Sequence, residues 1–376
     1  MDIEGWADRC TVSSMAKVNK ELTTAVQKAF AALGKNSVVG DVERYLPAFV
    51  RTAPYIKVDP RPLEKRGNPF DRSVLTPTVA WKVASLVSWL FLHRPVGDAV
   101  RAGIPKVVAA LRAVLADKRN IWVLESKYWD EESAAKRRRR HEAMAELVGG
   151  KVVKPTKSKG AWLEGRDDGT LVLAPSAPDA NGEAASVFGG VYTAKLDDSS
   201  LSRIVAFANA ISDWPESDTI PPARHIQSDG FAAMGARVTT TPVPMGGWEA
   251  NPASSAAELV VQVAAAHGLS NDGAALLLQT LALPEPTKAS VLLWNGWSSS
   301  HYDAAADELV KSKLAVSASV AGAGRRLFAP GAVIKKTKLN LPLERSKLPF
   351  ITHGQHVKHL ITRPCHELFA QVAAQW

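Results

Sequence analysis

Apolar residues in this chain recur at helical spacing, and proline or glycine cuts each run short, so the chain is constrained to fold as many short helices. Leu22, Val26, Ala29 and Leu33 stand ahead of Gly34, a plausible stop signal. After a loop from Pro54 to Pro77, a second helix is expected from Thr78 to His93. Its most apolar stretch, Val83 to Leu92, lies between Lys82 and His93-Arg94-Pro95 and falls well short of the ~20 residues that span a bilayer. It therefore reads as a buried helix, with Trp81 and Trp89 as core residues. A third helix opens near Pro105, with Val107, Val108, Leu111, Val114 and Leu115 on one face. A charged helix from Asp130 to Leu147 follows. Its run Lys136 to Arg140 has Glu132 and Glu142 at pairing distance, which favours a solvated face over a phosphate contact.

With 376 residues, the chain exceeds one ordinary hydrophobic core, and its 46% apolar and 22% charged content suits several packed units. The expected division is a helical domain over 1–150, a mixed α/β segment over 151–252, a third domain over 253–331 and a basic C-terminal extension over 332–376. Gly149-Gly150 and the lysine-rich stretch to Gly160 read as a linker, Asp168-Gly169 as a hairpin turn, and the Pro-, Gly- and Thr-rich stretch from Pro215 to Pro252 as a second boundary. The fold class is mainly α with small β elements. Cys10 and Cys365 are the two cysteines, which excludes a disulfide framework and fits a reducing compartment. Since the first residues lack the pattern of a signal peptide, a cytoplasmic location is expected.

The most ordered pattern lies between Ala253 and Pro330. Ser255 and Glu258 have capping-box spacing before Leu259, Val260 and Val263, and Gly268 closes that helix. Ala274, Leu277, Leu278 and Leu281 share a face of the next helix, Asn271 to Leu283. A short helix begins at Thr287 and ends at Gly296, with Trp294 and Trp297 pinning the turn. Ser300 and Asp303 read as the cap of a helix that buries Tyr302, Ala305, Ala306 and Leu309. The period then becomes two: Leu314, Val316, Ala318 and Val320 alternate as in a strand, and Arg325 to Phe328 can return as its partner. Three short helices followed by a hairpin resemble the winged helix-turn-helix fold over about 271–331. That resemblance implies a final helix, Ser300 to Lys311, entering a major groove and a wing carrying Arg325 and Arg326 against the backbone. Asp303, Asp307 and Glu308 are the wrong charge for that use. Winged-helix domains also serve as protein-interaction modules, which suits an acidic recognition helix.

The formal charge of +9 is concentrated at the C-terminal end. Between Val310 and Trp376 eleven Lys and Arg face only Glu344 and Glu367, so this stretch holds the whole excess. A local basic surface attracts polyanions through counterion release. Lys311, Arg325, Arg326, Lys335, Lys336 and Lys338 are therefore the candidate nucleic-acid contacts.

A P-loop, a dinucleotide fingerprint, a nucleophile elbow and a zinc-protease helix are all missing from the sequence, so no catalytic residue and no cofactor is assigned. His353, His356, His359, Cys365 and His366 cluster with ligand chemistry, but their spacing matches no zinc module. His356, His359 and Cys365 are the candidate ligands such a site would use, and no metal is expected. The leading expectation is a non-catalytic binding or scaffold protein with a protein partner. Behind it stand phosphate contact through the basic wing and extension, and an enzyme without a recognisable motif. No membrane partner is expected.

Overall fold

The computed structural model describes residues 77–118, 120–124, 142–153, 165–175, 187–211, 220–335, 340–352 and 359–376. The expected helix at Leu22 to Leu33, the loop from Pro54 and the run Lys136 to Arg140 lie outside them. The described chain is mainly helical with small antiparallel sheets, and it divides into two units. One contains 77–82 and 110–227, the other 83–109 and 228–376. Two helices, α1 (Pro77–His93) and α2 (Ile104–Ala116), follow the expected apolar pattern and bury Val83, Leu86, Val87, Leu111 and Leu115 completely. Trp81 is buried and Trp89 half-buried. Among the described residues no helix is long and apolar enough to cross a membrane.

The first unit is organised by a five-stranded antiparallel sheet. Its strands are β1 (Ile121–Leu124), β2 (Lys151–Val153), β3 (Gly165–Asp167), β4 (Leu171–Pro175) and β5 (Val187–Tyr192), in the order β1-β5-β4-β3-β2. Lys151 to Val153, expected as part of a linker, thus forms an edge strand pairing with 165–167. The turn from β3 to β4 fits its sequence. Gly169 takes φ 79°, and the Asp168 carboxylate accepts from the Thr170 and Leu171 amides at 2.8 and 2.7 Å. Past β5 the chain enters a 3-10 turn at Thr193–Lys195, where the Thr193 hydroxyl donates to the Leu115 carbonyl at 2.8 Å and accepts from Asn120 at 2.9 Å. Helices α3 (Asp198–Ile211) and α4 (Ile220–Gln227) and a helical segment 142–148 complete this unit.

The stretch expected to be a loop boundary, Pro215 to Pro252, is therefore partly helical, and α5 (Asp229–Thr240) continues it in the second unit. Pro221 and Pro222 lie in the first turn of α4, where a missing N–H costs nothing. Ser228 caps α5 by accepting from the Phe231 amide at 3.2 Å. Helical spacing of Ile220, Ala223 and Ile226, and of Phe231 and Met234, supplies buried faces for the two helices.

The second unit continues through α6 (Pro252–Ser255), α7 (Ala257–His267), α8 (Asn271–Ala282), α9 (Lys288–Asn295) and α10 (Ser299–Lys311). The capping expected of Ser255 falls elsewhere. Asn251 caps α6, and the Ser255 hydroxyl donates back to the Asn251 carbonyl at 2.9 Å. Likewise Ser298, rather than Ser300, caps α10 through the His301 amide at 3.2 Å. Gly268 and Gly296 close α7 and α9 with φ of 64° and 67°. Every residue of α8 from Gly273 to Ala282 is buried. Helices α7 and α10 pack around it, as does the terminal α11 (Cys365–Ala373). Its leucines 276, 277, 278 and 281 each contribute roughly 1.5–3 kcal/mol by leaving water.

After α10 come three two-stranded pieces: β6 (Val316–Ser317) with β7 (Leu327–Phe328), β8 (Val333–Ile334) with β9 (Leu343–Glu344), and β10 (Ile351–Thr352) with β11 (Leu360–Ile361). The described residues of 332–376 thus include two antiparallel strand pairs, β8–β9 and β10–β11, and helix α11.

Candidate interaction surface

Of the candidate cations, Lys311 ends α10, and Arg325 and Arg326 lead into β7 in unequal states. Arg325 was expected at the surface, yet its side chain is 1% exposed. It donates to the Glu344 carboxylate at 2.8 Å and the Pro342 carbonyl at 3.0 Å, and lies 4.7 Å from the Phe328 ring centre. Alternation explains this placement: Arg325 precedes Leu327, and both turn inward. Its Nε and Nη1 are buried without a hydrogen-bond partner, so its burial leans heavily on Glu344.

Glu344 is the centre of a buried charge cluster. Lys347 donates to the same carboxylate oxygen at 3.0 Å and to the Leu283 carbonyl, at the end of α8, at 2.8 Å. The other oxygen accepts from the Ala329 amide at 3.2 Å. Burial pulls the Lys347 pKa down to about 8 against the opposing pull of Glu344. The Glu344 carboxyl, which burial would raise, is brought below its usual range by Lys347 and Arg325. A removed partner would leave an unmatched buried charge, so Arg325 is structural.

Arg326 points the other way, is half-buried, and donates to Asp307 of α10 at 2.7 Å, with Asp303 at 3.6 Å. Asp303 in turn accepts from Lys288 of α9 at 2.8 and 2.9 Å. These hydrogen bonds draw the Asp303 carboxyl down, the Lys288 bond first, and hold the Arg326 guanidinium up through Asp307. Lys288 also sits 5.1 Å from the ring centre of buried Tyr302. The acids of the expected recognition helix therefore take up the cations of the hairpin and of α9. Glu308 serves a different end: it accepts from the Ser270 amide at 2.6 Å, tying α10 to the start of α8. Spacing of 303 and 307 by one helical turn signals that both reach one partner, although the partner itself was not legible.

Lys311, at the end of α10, and Lys335, after β8, are exposed. Lys336 and Lys338 lie outside the described residues, as do His353 and His356. His359 and Cys365 are buried, and Cys365 opens α11. Burial, with the charge of Glu249, raises the Cys365 thiol well above its usual range. Among the described residues no group of three His, Cys, Asp or Glu is arranged to hold a metal ion.

A second buried cluster, absent from the sequence reading, joins α5 to the segment after it. Glu249 is fully buried and accepts from Arg101 at 3.2 Å and Arg237 at 3.3 Å. Arg101 also donates to the Phe91 and Arg94 carbonyls at 3.0 and 3.1 Å, and Arg237 to the Ser255 carbonyl at 3.1 Å. Arg101 lies more than a hundred residues before Arg237 and Glu249, so no local spacing announces the cluster.

Compared with protein-family models, with curated proteins and with solved structures, the chain matches none significantly.

Proposed function

We propose that α8 to α10 with the hairpin β6–β7 form a winged-helix module that works by binding another protein and performs no chemistry itself. The observation that carries this reading is that both of the hairpin's arginines are already paired with acids of the same unit. Arg325 is buried on Glu344, and Arg326 is paired with Asp307 and Asp303. Freeing Arg326 from an exposed pair costs about 0–1 kcal/mol, whereas extracting Arg325 from a buried one costs about 3–5 kcal/mol. The wing is therefore poorly supplied with cations for phosphate. Support for a protein partner comes from Leu293 on α9, an apolar side chain left 52% exposed.

Salt titration of duplex DNA and single-stranded RNA binding tests this. Five phosphate contacts from Arg325, Arg326, Lys335, Lys336 and Lys338 would give a log–log slope of about −4.5, and loss of the two arginines leaves about −2.7. We expect no binding at physiological salt and a slope no steeper than the smaller value at low salt. A slope near −4.5 that becomes shallower by about one phosphate when Arg326→Gln is introduced would defeat the reading. In parallel, a photo-crosslinking side chain at Leu293 should capture a discrete protein, while one at exposed Arg224 should not.

A further inference from the structure

We infer that the open edge of the hairpin is a self-association site, where two copies of the chain pair antiparallel along residues 316–320 about a two-fold axis through Ala318. Val316 pairs with Phe328 and Ser317 with Leu327, and the Ala318 amide donates to the Arg326 carbonyl at 2.9 Å. Bonded and non-bonded pairs alternate in an antiparallel ladder. Val316 thus turns its backbone groups to Phe328 and the Ala318 amide turns to the Arg326 carbonyl, which sets the backbone groups of Ser317, and of Ser319 in the same extended phase, on the outer edge. Both serines are exposed, and neither makes a hydrogen bond among the described residues.

The sequence of this edge, Val316-Ser317-Ala318-Ser319-Val320, reads the same in both directions. A two-fold axis at Ala318 therefore sets Ser317 against Ser319 of the second copy and Val316 against Val320. On the open edge the bonded pairs must be those of the outward-facing residues, and this axis delivers them: 317 with 319 and 319 with 317, four hydrogen bonds in all. Sequence symmetry and backbone phase agree, which an isologous contact requires and a foreign strand does not.

Protection is also missing. Exposed edges are normally blunted by Lys, by Pro or by a covering element, but no charge and no proline occurs from Leu314 to Gly324. Val316, 42% exposed, adds an apolar side chain to the same edge. A five-residue edge segment buries much less than the ~1,200–2,000 Å² of a stable interface, so the association is weak and concentration-dependent. It stands independently of the protein-binding reading, because it uses the hairpin edge and not α9.

Sedimentation velocity on the full chain from about 1 to 200 μM tests the inference. The weight-average sedimentation coefficient should rise with concentration. A Ser317→Lys/Ser319→Lys variant should stay monomeric, since each lysine then faces a lysine, and a Ser317→Glu/Ser319→Glu variant should do the same. Mixing the two should restore the dimer, because every lysine then faces a glutamate. Ser317→Pro should also abolish association while leaving the intrachain ladder intact, as that amide points away from β7. Circular dichroism verifies that each variant is folded. A wild-type chain that stays monomeric at the highest concentration overturns the inference. So does a dimer that persists in the lysine variant, or a mixture of folded variants that fails to recover it.

Discussion

Replacing Glu249 with alanine should be among the most damaging single changes in the second unit. The carboxylate is fully buried, and both of its oxygens are engaged by guanidinium groups, Arg101 at 3.2 Å and Arg237 at 3.3 Å. Arg101 is itself 1% exposed, and burial already draws its pKa down, with Glu249 providing the first opposing pull. Alanine leaves a buried cation with only the Phe91 and Arg94 carbonyls for partners, and a second cation held by Ser255. Breaking one side of such a buried pair costs about 3–5 kcal/mol. For a unit of this size that lowers the melting temperature by about 6–20 °C. Urea titration should show a lower midpoint at unchanged slope, which separates lost stability from an altered denatured state. A double-mutant cycle with Arg237→Ala should give a coupling of about 0.5–3 kcal/mol. A loss below about 1 kcal/mol, or strict additivity in the cycle, would refute the view that this cluster holds the unit together.

Other perturbations have equally definite signs. His225 is buried beside Trp81, and burial holds its pKa at about 4. The unfolded chain therefore takes up this proton first, and stability present above pH 6.5 is lost as the pH falls toward 4, by about 3 kcal/mol in all. His225→Phe should flatten that part of the pH profile. Lys347 titrates near 8 when folded and near 10.5 when unfolded, so wild-type stability relative to Lys347→Met should rise between those values as the unfolded chain gives up its extra proton. In denaturant titrations at several pH values, an unchanging difference would contradict the buried-lysine assignment. Gly230→Ala should cost about 1–3 kcal/mol in a thermal melt, because the added carbon meets the Thr362 carbonyl oxygen.

Much of the helical order was legible because it is written locally. Thr287 opens its helix where the sequence places it and caps it, and Gly268 and Gly296 stop two of the segments, although the cap read at Ser300 falls to Ser298. The hairpin after α10 was legible from the change of period at Leu314 to Val320. Where reading failed, a distant partner had decided the outcome. Composition marked Pro215 to Pro252 as a loop, yet two helices there bury Ile226, Phe231 and Met234. Lys151 to Val153 looked like a basic linker until Arg166 and its neighbours gave it a strand to pair with. Arg325 looked like a surface cation, because nothing near it in sequence reveals that Glu344 and Pro342 would enclose it.

The burial of Arg325 has the widest consequence, since it takes one of the hairpin's two arginines out of the basic tail's outward charge. A positive excess in sequence becomes a phosphate-binding surface only if the cations remain unpaired and outward. Here Arg325 and Lys347 converge on Glu344, Arg326 on Asp307 and Asp303, and Lys288 on Asp303. Each pairing fastens the hairpin or its neighbours to a helix or strand of the same unit, so these four cations hold the module's shape, while Lys311 and Lys335 stay exposed. What is left outward on the hairpin is a neutral strand with free amides and carbonyls at Ser317 and Ser319. Such a surface discriminates by backbone register and shape rather than by charge, and a change of salt that would release a polyanion should leave its contacts largely intact.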